Sequence, residues 1–222
     1  MRLLPLALAG VLILAACSST GEKPETELSF LTTVVKSRLA ARKQAGQPVN
    51  PLKQLSRAQL AKVKTRLMMA HLEKTGAWAA LSLTARNRGY ETYFAVDRKS
   101  VTLKDGILAE TRGLAGDLME ADISGAAAAL KGGPRTYIRN YAWLNGEDHL
   151  RRESYDCKVM FVDTETVEIV QRRYRARHLR ELCEGQGGRF TNDYWLSGRE
   201  VVKSRQWGGK DVGYVGFWLL VR

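Results

Sequence analysis

The sequence predicts a mainly β protein, built on an antiparallel, mainly meandering sheet. Apolar and polar residues alternate through much of the chain after Trp78, as they do along half-buried strands. Asp105-Gly106 and Asn145-Gly146 stand between such runs, and both dipeptides are strong hairpin signals. No strand–helix–strand rhythm recurs, which argues against a parallel sheet. Such a sheet must hide its unpaired backbone, so its edges are expected to close or fold over.

Ahead of the sheet, Leu28, Leu31, Val35 and Leu39 recur at helical spacing, with Phe30 and Val34 widening the stripe. One helix over about 27 to 43 follows from that pattern. Pro48 and Pro51 end it in a loop. Ser56 and Gln59 have capping-box form and predict a short helix over 56–63. Periodicity alone leaves Arg66–Leu72 open between helix and strand. Beyond it, Leu81, Leu83 and Ala85 alternate with polar neighbours, and Tyr90, Thr92, Phe94 and Val96 form a second such run. Val101 and Leu103 lead into Asp105-Gly106, followed by Ile107, Leu108 and Thr111. Tyr137–Leu144 and His149–Val162 flank Asn145-Gly146. Further turns are expected at Asp163-Thr164, Gly185–Gly188, Ser197-Gly198 and Gly208-Gly209. The stretch DISGAAAALKGGP reads as a short helix or insertion near a rim, stopped by Gly132, Gly133 and Pro134.

The first residues carry an address. Arg2, the apolar run from Leu3 to Ala16 and the small pair Ala15 and Ala16 have the order of a secretory signal. The run is short for a membrane helix, which needs roughly 20 apolar residues. Leu14-Ala15-Ala16-Cys17 resembles a bacterial lipobox, in which the cysteine becomes the lipidated first residue, carrying acyl chains of the palmitate kind. The alternatives are an uncleaved anchor or an ordinary signal that leaves Cys17 free. Ser18 after the cysteine resembles the pattern for outer-membrane sorting. The expected division is a lipoprotein signal peptide at 1–16, a lipidated N-terminus, tether and helix at 17–55, and a single antiparallel β domain at 56–222.

Charge and cysteines narrow the setting. The 222-residue chain has a formal net charge of +12, which falls to +11 without the signal because only Arg2 is charged there. A basic exported protein suits an anionic neighbour such as acidic polysaccharide, lipid head groups or an acidic protein face. Export argues against nucleic acid, although simple solubility would also account for the charge. With Cys17 taken by the anchor, Cys157 and Cys183 remain, and an oxidising compartment makes a disulfide the default. Two free thiols or a metal pair are the alternatives; no CxxC or nearby histidine gives zinc spacing.

Several stretches resemble one family when taken together. Thr111-Arg112-Gly113-Leu114, then Gly116-Asp117-Leu118, is similar to a T-x-G-L…DL segment of the YjbF/GfcB-type lipoproteins. Asn192-Asp193-Tyr194-Trp195 resembles their N-x-Y-W element, and Ser204-Arg205-Gln206-Trp207 their S-x-Q-W element. Cys157 and Cys183 precede these elements as the family's cysteines do. The order and spacing carry the resemblance, and residues 120 to 135 look peculiar to this sequence. The resemblance implies a lipoprotein of capsule and exopolysaccharide loci, working beside a periplasmic partner and an outer-membrane β-barrel-type protein. It also implies a long antiparallel meander folded over on itself, sandwich- or barrel-like, which favours strand at Arg66–Leu72. No reaction comes with it.

Residues for catalysis are hard to find. There is no GxSxG elbow, no HExxH and no phosphate-cradling loop. Among His71, His149 and His178, Asp148-His149 sits beside an expected turn and reads as solvated, as do Glu147 and Asp148. No carboxylate pair stands out for glycoside hydrolysis. No metal or cofactor is expected. The run QRRYRARHLR is better suited to contact, because alternation puts Arg173, Arg175 and Arg177 on one face and Arg172, Tyr174 and Ala176 on the other. Guanidinium rows bind carboxylates or phosphates, although a charged edge strand would look the same. Trp143, Trp195 and Trp207 are candidates for stacking on sugars, or for core packing. The expected function is non-enzymatic binding or scaffolding in polysaccharide export or assembly. A lipid or glycolipid carrier with an apolar cavity is the alternative, and a polysaccharide-modifying hydrolase has the least support.

Overall fold

The structure, a computed structural model, describes residues 50–144, 147 and 149–222. Cys17, the signal peptide, the tether and the helix expected over 27–43 lie outside the described residues, as do Asn145, Gly146 and Asp148. The described strands are β1 Leu67–Leu72, β2 Ala77–Asn87, β3 Tyr90–Phe94, β4 Ser100–Lys104, β5 Ile107–Arg112 and β6 Leu118–Ala121. They continue with β7 Thr136–Leu144, β8 Leu150–Ile169, β9 Arg172–Gly185, β10 Gly188–Ser197, β11 Glu200–Trp207 and β12 Tyr214–Val221. All twelve join one antiparallel sheet in the order β5-β4-β3-β2-β1-β12-β11-β10-β9-β8-β7-β6. The meander is as the sequence predicts, and the sheet curls into a nearly closed barrel.

Pairing of β1 with β12 is what makes the curl possible. Met68 stands opposite Leu219, Ala70 opposite Phe217 and Leu72 opposite Val215. Joining the first strand to the last moves both sheet edges to the middle of the chain, at β5 and β6. These two edges are consecutive in sequence, so one short loop ties the seam together. The inward faces are apolar over much of the circuit, with Tyr93, Leu103 and Phe217 almost fully buried.

The turns explain the register. Asp105 and Gly106 have φ of +53° and +78°, the left-handed pair that a two-residue hairpin requires. Gly106 has a second reason to lack a side chain: a Cβ there would lie 2.5 Å from Val201 Cβ. The β4–β5 hairpin therefore folds over against β11. Turns also fall at Gly185–Gly188, Ser197-Gly198 and Gly208-Gly209, as expected. The turn expected at Asp163-Thr164 is a correction. β8 runs through it for 20 residues, and the ladder shifts by a bulge between Phe161 and Asp163. The chain reverses instead at Val170 and Gln171, both with positive φ and neither a customary turn residue. A bulge keeps the strand going where a turn would end it.

Two short helices flank the sheet. The helix expected over 56–63 is α1, only Arg57–Leu60, and its capping box is formed as predicted. Arg57 reaches from it to the β8–β9 turn, where its Nε donates to Val170 O at 2.6 Å, and to β12, where its Nη1 donates to Leu220 O at 2.8 Å. The Ala-rich segment forms α2, Ser124–Leu130, with Ala126, Ala129 and Leu130 buried. Gly125 lies so close to the Tyr137 ring that a Cβ would come within 2.6 Å of it. Lys131, just after α2, pairs with Asp105 at 2.7 Å.

Candidate functional site

The inward face of β7 carries Tyr137, Arg139, Tyr141 and Trp143, two residues apart. Arg139 is 1% exposed and Glu181 of β9 is fully buried. A buried ion pair is stable only when its remaining polar atoms are also satisfied. Glu181 meets that condition, and Arg139 meets it except at Nε, which is buried without a hydrogen-bond partner among the described residues. The Glu181 carboxylate accepts from Arg139 Nη1 at 2.8 and 3.0 Å, Tyr137 Oη at 2.6 Å, Asn192 Nδ2 at 2.6 Å and Tyr194 Oη at 3.0 Å. Burial alone would raise the Glu181 pKa, but Arg139 and these donors outweigh it and hold the carboxyl below its ordinary value. Burial and the Glu181 charge push both tyrosine phenols up, so they stay protonated donors. A carboxylate saturated in this way is poorly placed to move a proton. It is a structural charge.

The same network reaches the edge strand β5. Gln206 of β11 accepts from Leu108 N at 2.8 Å and donates to Gly106 O at 2.9 Å. Arg139 Nη2 donates to Leu108 O at 3.3 Å. Side chains from across the interior thus satisfy backbone groups that a neighbouring strand would otherwise take. Asn192 Oδ1 accepts from Trp207 N at 2.6 Å, tying β10 to β11.

The seam between β5 and β6 has its own stitches. Asp117 accepts from Thr111 Oγ1, Gly113 N and Leu114 N at 2.7–2.9 Å. Thr111 Oγ1 in turn accepts from Leu118 N at 2.9 Å, and Arg112 Nη1 donates to Leu118 O at 3.0 Å. Beside the seam runs an open groove of about 800 Å³. Glu110, Glu120, Asp122 and Glu153 line it against Lys104 and Arg152, so it is acidic on balance in a basic chain.

The other expected site residues fall elsewhere. Cys157 and Cys183 are directly opposed on β8 and β9 and form a disulfide. Glu181 lies close to both sulfurs, but bonded thiols are not metal ligands. Arg173, Arg175 and Arg177 are exposed, the first two on the part of β9 that extends past β10 and Arg177 opposite Leu196 where that pairing ends. They stand opposite Glu168, Thr166 and Thr164, and none has an ion-pair partner among the described residues. Tyr174 and Ala176 are buried on the reverse face as expected. Arg172, expected with them, is exposed because it opens the strand at the turn, and its guanidinium lies 5.2 Å from the Tyr174 ring centroid.

The tryptophans are packed by the chain itself. Trp143 is buried and stacked on Tyr141 at 5.1 Å. Trp195 is buried between His178, stacked at 4.4 Å, and Lys203 Nζ at 3.9 Å. Neither presents a ring face to solvent in this conformation. Trp207 is half-buried between Phe190 and Tyr214. The three are not brought together with the arginine row.

Sequence reasoning missed Arg139 and Glu181, the centre of the interior. A signal was present: Arg139 shares its alternation with Tyr137, Tyr141 and Trp143, and Ile138 between them is 61% exposed. Asn192 and Tyr194, like Ser204 and Gln206, are also two apart and point to one face.

No curated protein sequence matches the chain. Among solved structures, the hypothetical lipoprotein YmcC from Escherichia coli (K12) has a similar fold, with a TM-score of 0.68 at 20% identity. The alignment covers 76% of this chain and 89% of that one. The model of a family described as group 4 capsule polysaccharide lipoprotein gfcB, YjbF, matches residues 29–220. That span takes in every strand but for the last residue of β12, with the disulfide and all three motif segments, and the chain belongs to this family.

Proposed function

We propose that this chain is an outer-membrane lipoprotein, anchored through Cys17, that supports export or assembly of a capsule or exopolysaccharide by binding or scaffolding rather than by catalysis. One observation carries the reading: the buried Glu181 carboxylate is saturated by Arg139 and three neutral donors, whereas the arginine row on the outside has no ion pair among the described residues. Arg173, Arg175 and Arg177 can take carboxylates or phosphates of an anionic polymer. The polar groove beside the β5–β6 seam can take a polymer chain or a segment of an export partner, including an outer-membrane β-barrel-type protein. No helix among the described residues is long and apolar enough to cross a membrane.

The carrier alternative has less support among the described residues. The apolar pocket around Ala70, Ala79, Leu81 and Val101 holds about 120 Å³. That is room for on the order of ten waters at most, too little for a two-chain lipid. Deleting the gene should reduce surface polysaccharide, and the intact protein should restore it. Restoration by a Cys17→Ser form would contradict the need for anchoring. Release of reducing ends from purified polymer would sink the non-catalytic reading.

A further inference from the structure

We propose that Asp163, Glu165 and His178 form a site for a divalent transition-metal cation of the zinc type, at the bend of the β8–β9 hairpin. The site is independent of the polysaccharide reading. Asp163 and His178 are directly opposed across the ladder, and Glu165, two residues on, shares their face. One ligand atom from each lies within 4.8 Å of the others. The bulge creates this juxtaposition. In an unbroken ladder Val162 would stand opposite His178; the extra residue puts Asp163 there instead.

The histidine is prepared as a ligand. It is 8% exposed and stacked on Trp195. Its Nε2 is engaged by Asp193 Oδ1 at 2.7 Å, and Arg180 Nε donates to the same oxygen at 2.8 Å. Nδ1 remains. It makes no hydrogen bond among the described residues, and Asp163 Oδ1 lies 3.7 Å away. That gap is long for a hydrogen bond but suits two atoms flanking one ion, since zinc ligands at 2.0–2.1 Å lie about 3.3 Å apart in a tetrahedron. A carboxylate on the second ring nitrogen of a ligating histidine fixes its tautomer and raises its basicity. Asp193 occupies that position. Glu165 is oriented in turn by the Trp195 indole, which donates to its Oε1.

Charge and ligand type agree. Asp163, Glu165 and Asp193 face Arg180 and Lys203, which leaves the site acidic within a basic protein. Imidazole with carboxylates suits zinc and its first-row neighbours. Asp163 is more than half exposed, so a fourth coordination position would open to solvent and to an anionic ligand.

The test is calorimetric titration of zinc chloride into the chelator-stripped full chain, carrying no histidine tag. One saturable site per chain is expected, with a rise in thermal midpoint on adding zinc. Asp163→Asn and Glu165→Gln should each weaken binding about tenfold or more, and Asp193→Asn by about 10–100-fold. His178→Ala should abolish it, with circular dichroism showing that the sheet persists. Asp163→Asn changes an exposed side chain, so it tests the site even where His178→Ala does not fold. Absence of saturable zinc binding to the unmodified chain overturns the proposal, as does unchanged binding in Asp163→Asn and Glu165→Gln.

Discussion

The barrel interior and the outer arm of the β8–β9 hairpin both present arginine, and they treat it in opposite ways. Arg139 is enclosed, and four side chains converge on its partner Glu181. Arg173, Arg175 and Arg177 stand in solvent with no ion pair among the described residues. Burial makes a charge expensive to leave unmatched, so the inner arginine is held in the fold by its pair with Glu181. Exposure makes the outer ones nearly free to the fold, so their grouping is available for contact. Substitutions can therefore separate stability from binding, region by region.

The largest effect is expected inside. Glu181→Ala strands Arg139 in the interior and should cost about 3–5 kcal/mol in denaturant unfolding. The double change Arg139→Met with Glu181→Leu should cost much less than the two single losses combined, because no unpaired charge remains. A depressed carboxylate pKa also fixes a sign. The folded form binds its proton less readily than the unfolded chain, so the Glu181 contribution is present above the ordinary carboxylate value of 4.5 and lost as pH falls through the lower folded value. Acid unfolding should therefore set in at higher pH in any variant that weakens this pair.

Next in size is the disulfide. Cys157 and Cys183 are 26 residues apart, and removing both sulfurs should cost about 3 kcal/mol in the chain-entropy view. It joins β8 to β9 next to Glu181, so the double Cys→Ser form should also expose interior tyrosines to solvent, measurable by near-ultraviolet circular dichroism.

How legible the molecule was depends on the range of the forces involved. Hairpins such as Asp105-Gly106 were readable because a local backbone requirement writes itself into two adjacent residues. The strands before and after them followed from alternation. Pairing of β1 with β12 was not readable, since nothing local distinguishes closure at the chain ends from closure elsewhere. Asp163-Thr164 misled because polar residues mark a bulge on an exposed arm as readily as a turn. Glu181 was hidden because its partners come from β7 and β10, and an acid in QRRYRARHLRELCEG looks solvated until those strands are in place. For Trp143 and Trp195 alternation left sugar stacking and core packing both open, because the partners that pack them, Tyr141, His178 and Lys203, declare themselves only in the fold.

A smaller effect should come from the seam. Gln206→Leu removes the side chain that satisfies Leu108 N and Gly106 O, leaving both without that partner. The expected loss is about 1–3 kcal/mol. Its signature is local: hydrogen exchange at the Leu108 amide should quicken before exchange in β10 or β12 does. Uniform quickening across the sheet would show that Gln206 supports the whole interior, not the β5 edge.

The smallest effect on stability, and the clearest on binding, is expected at the arm. Replacing Arg173, Arg175 and Arg177 together by Ala should shift unfolding by no more than about 0.5 kcal/mol, as for surface changes away from special features. The same variant should lose affinity for an anionic polysaccharide and should show a weaker salt dependence of whatever binding remains. Sedimentation of labelled polymer with the full chain, at two ionic strengths, reads both quantities. If the variant binds as the unmodified protein does, the row is a guard on an exposed hairpin and the contact surface belongs to the seam groove. If it unfolds several kcal/mol earlier, the division between a committed interior and a free exterior is wrong.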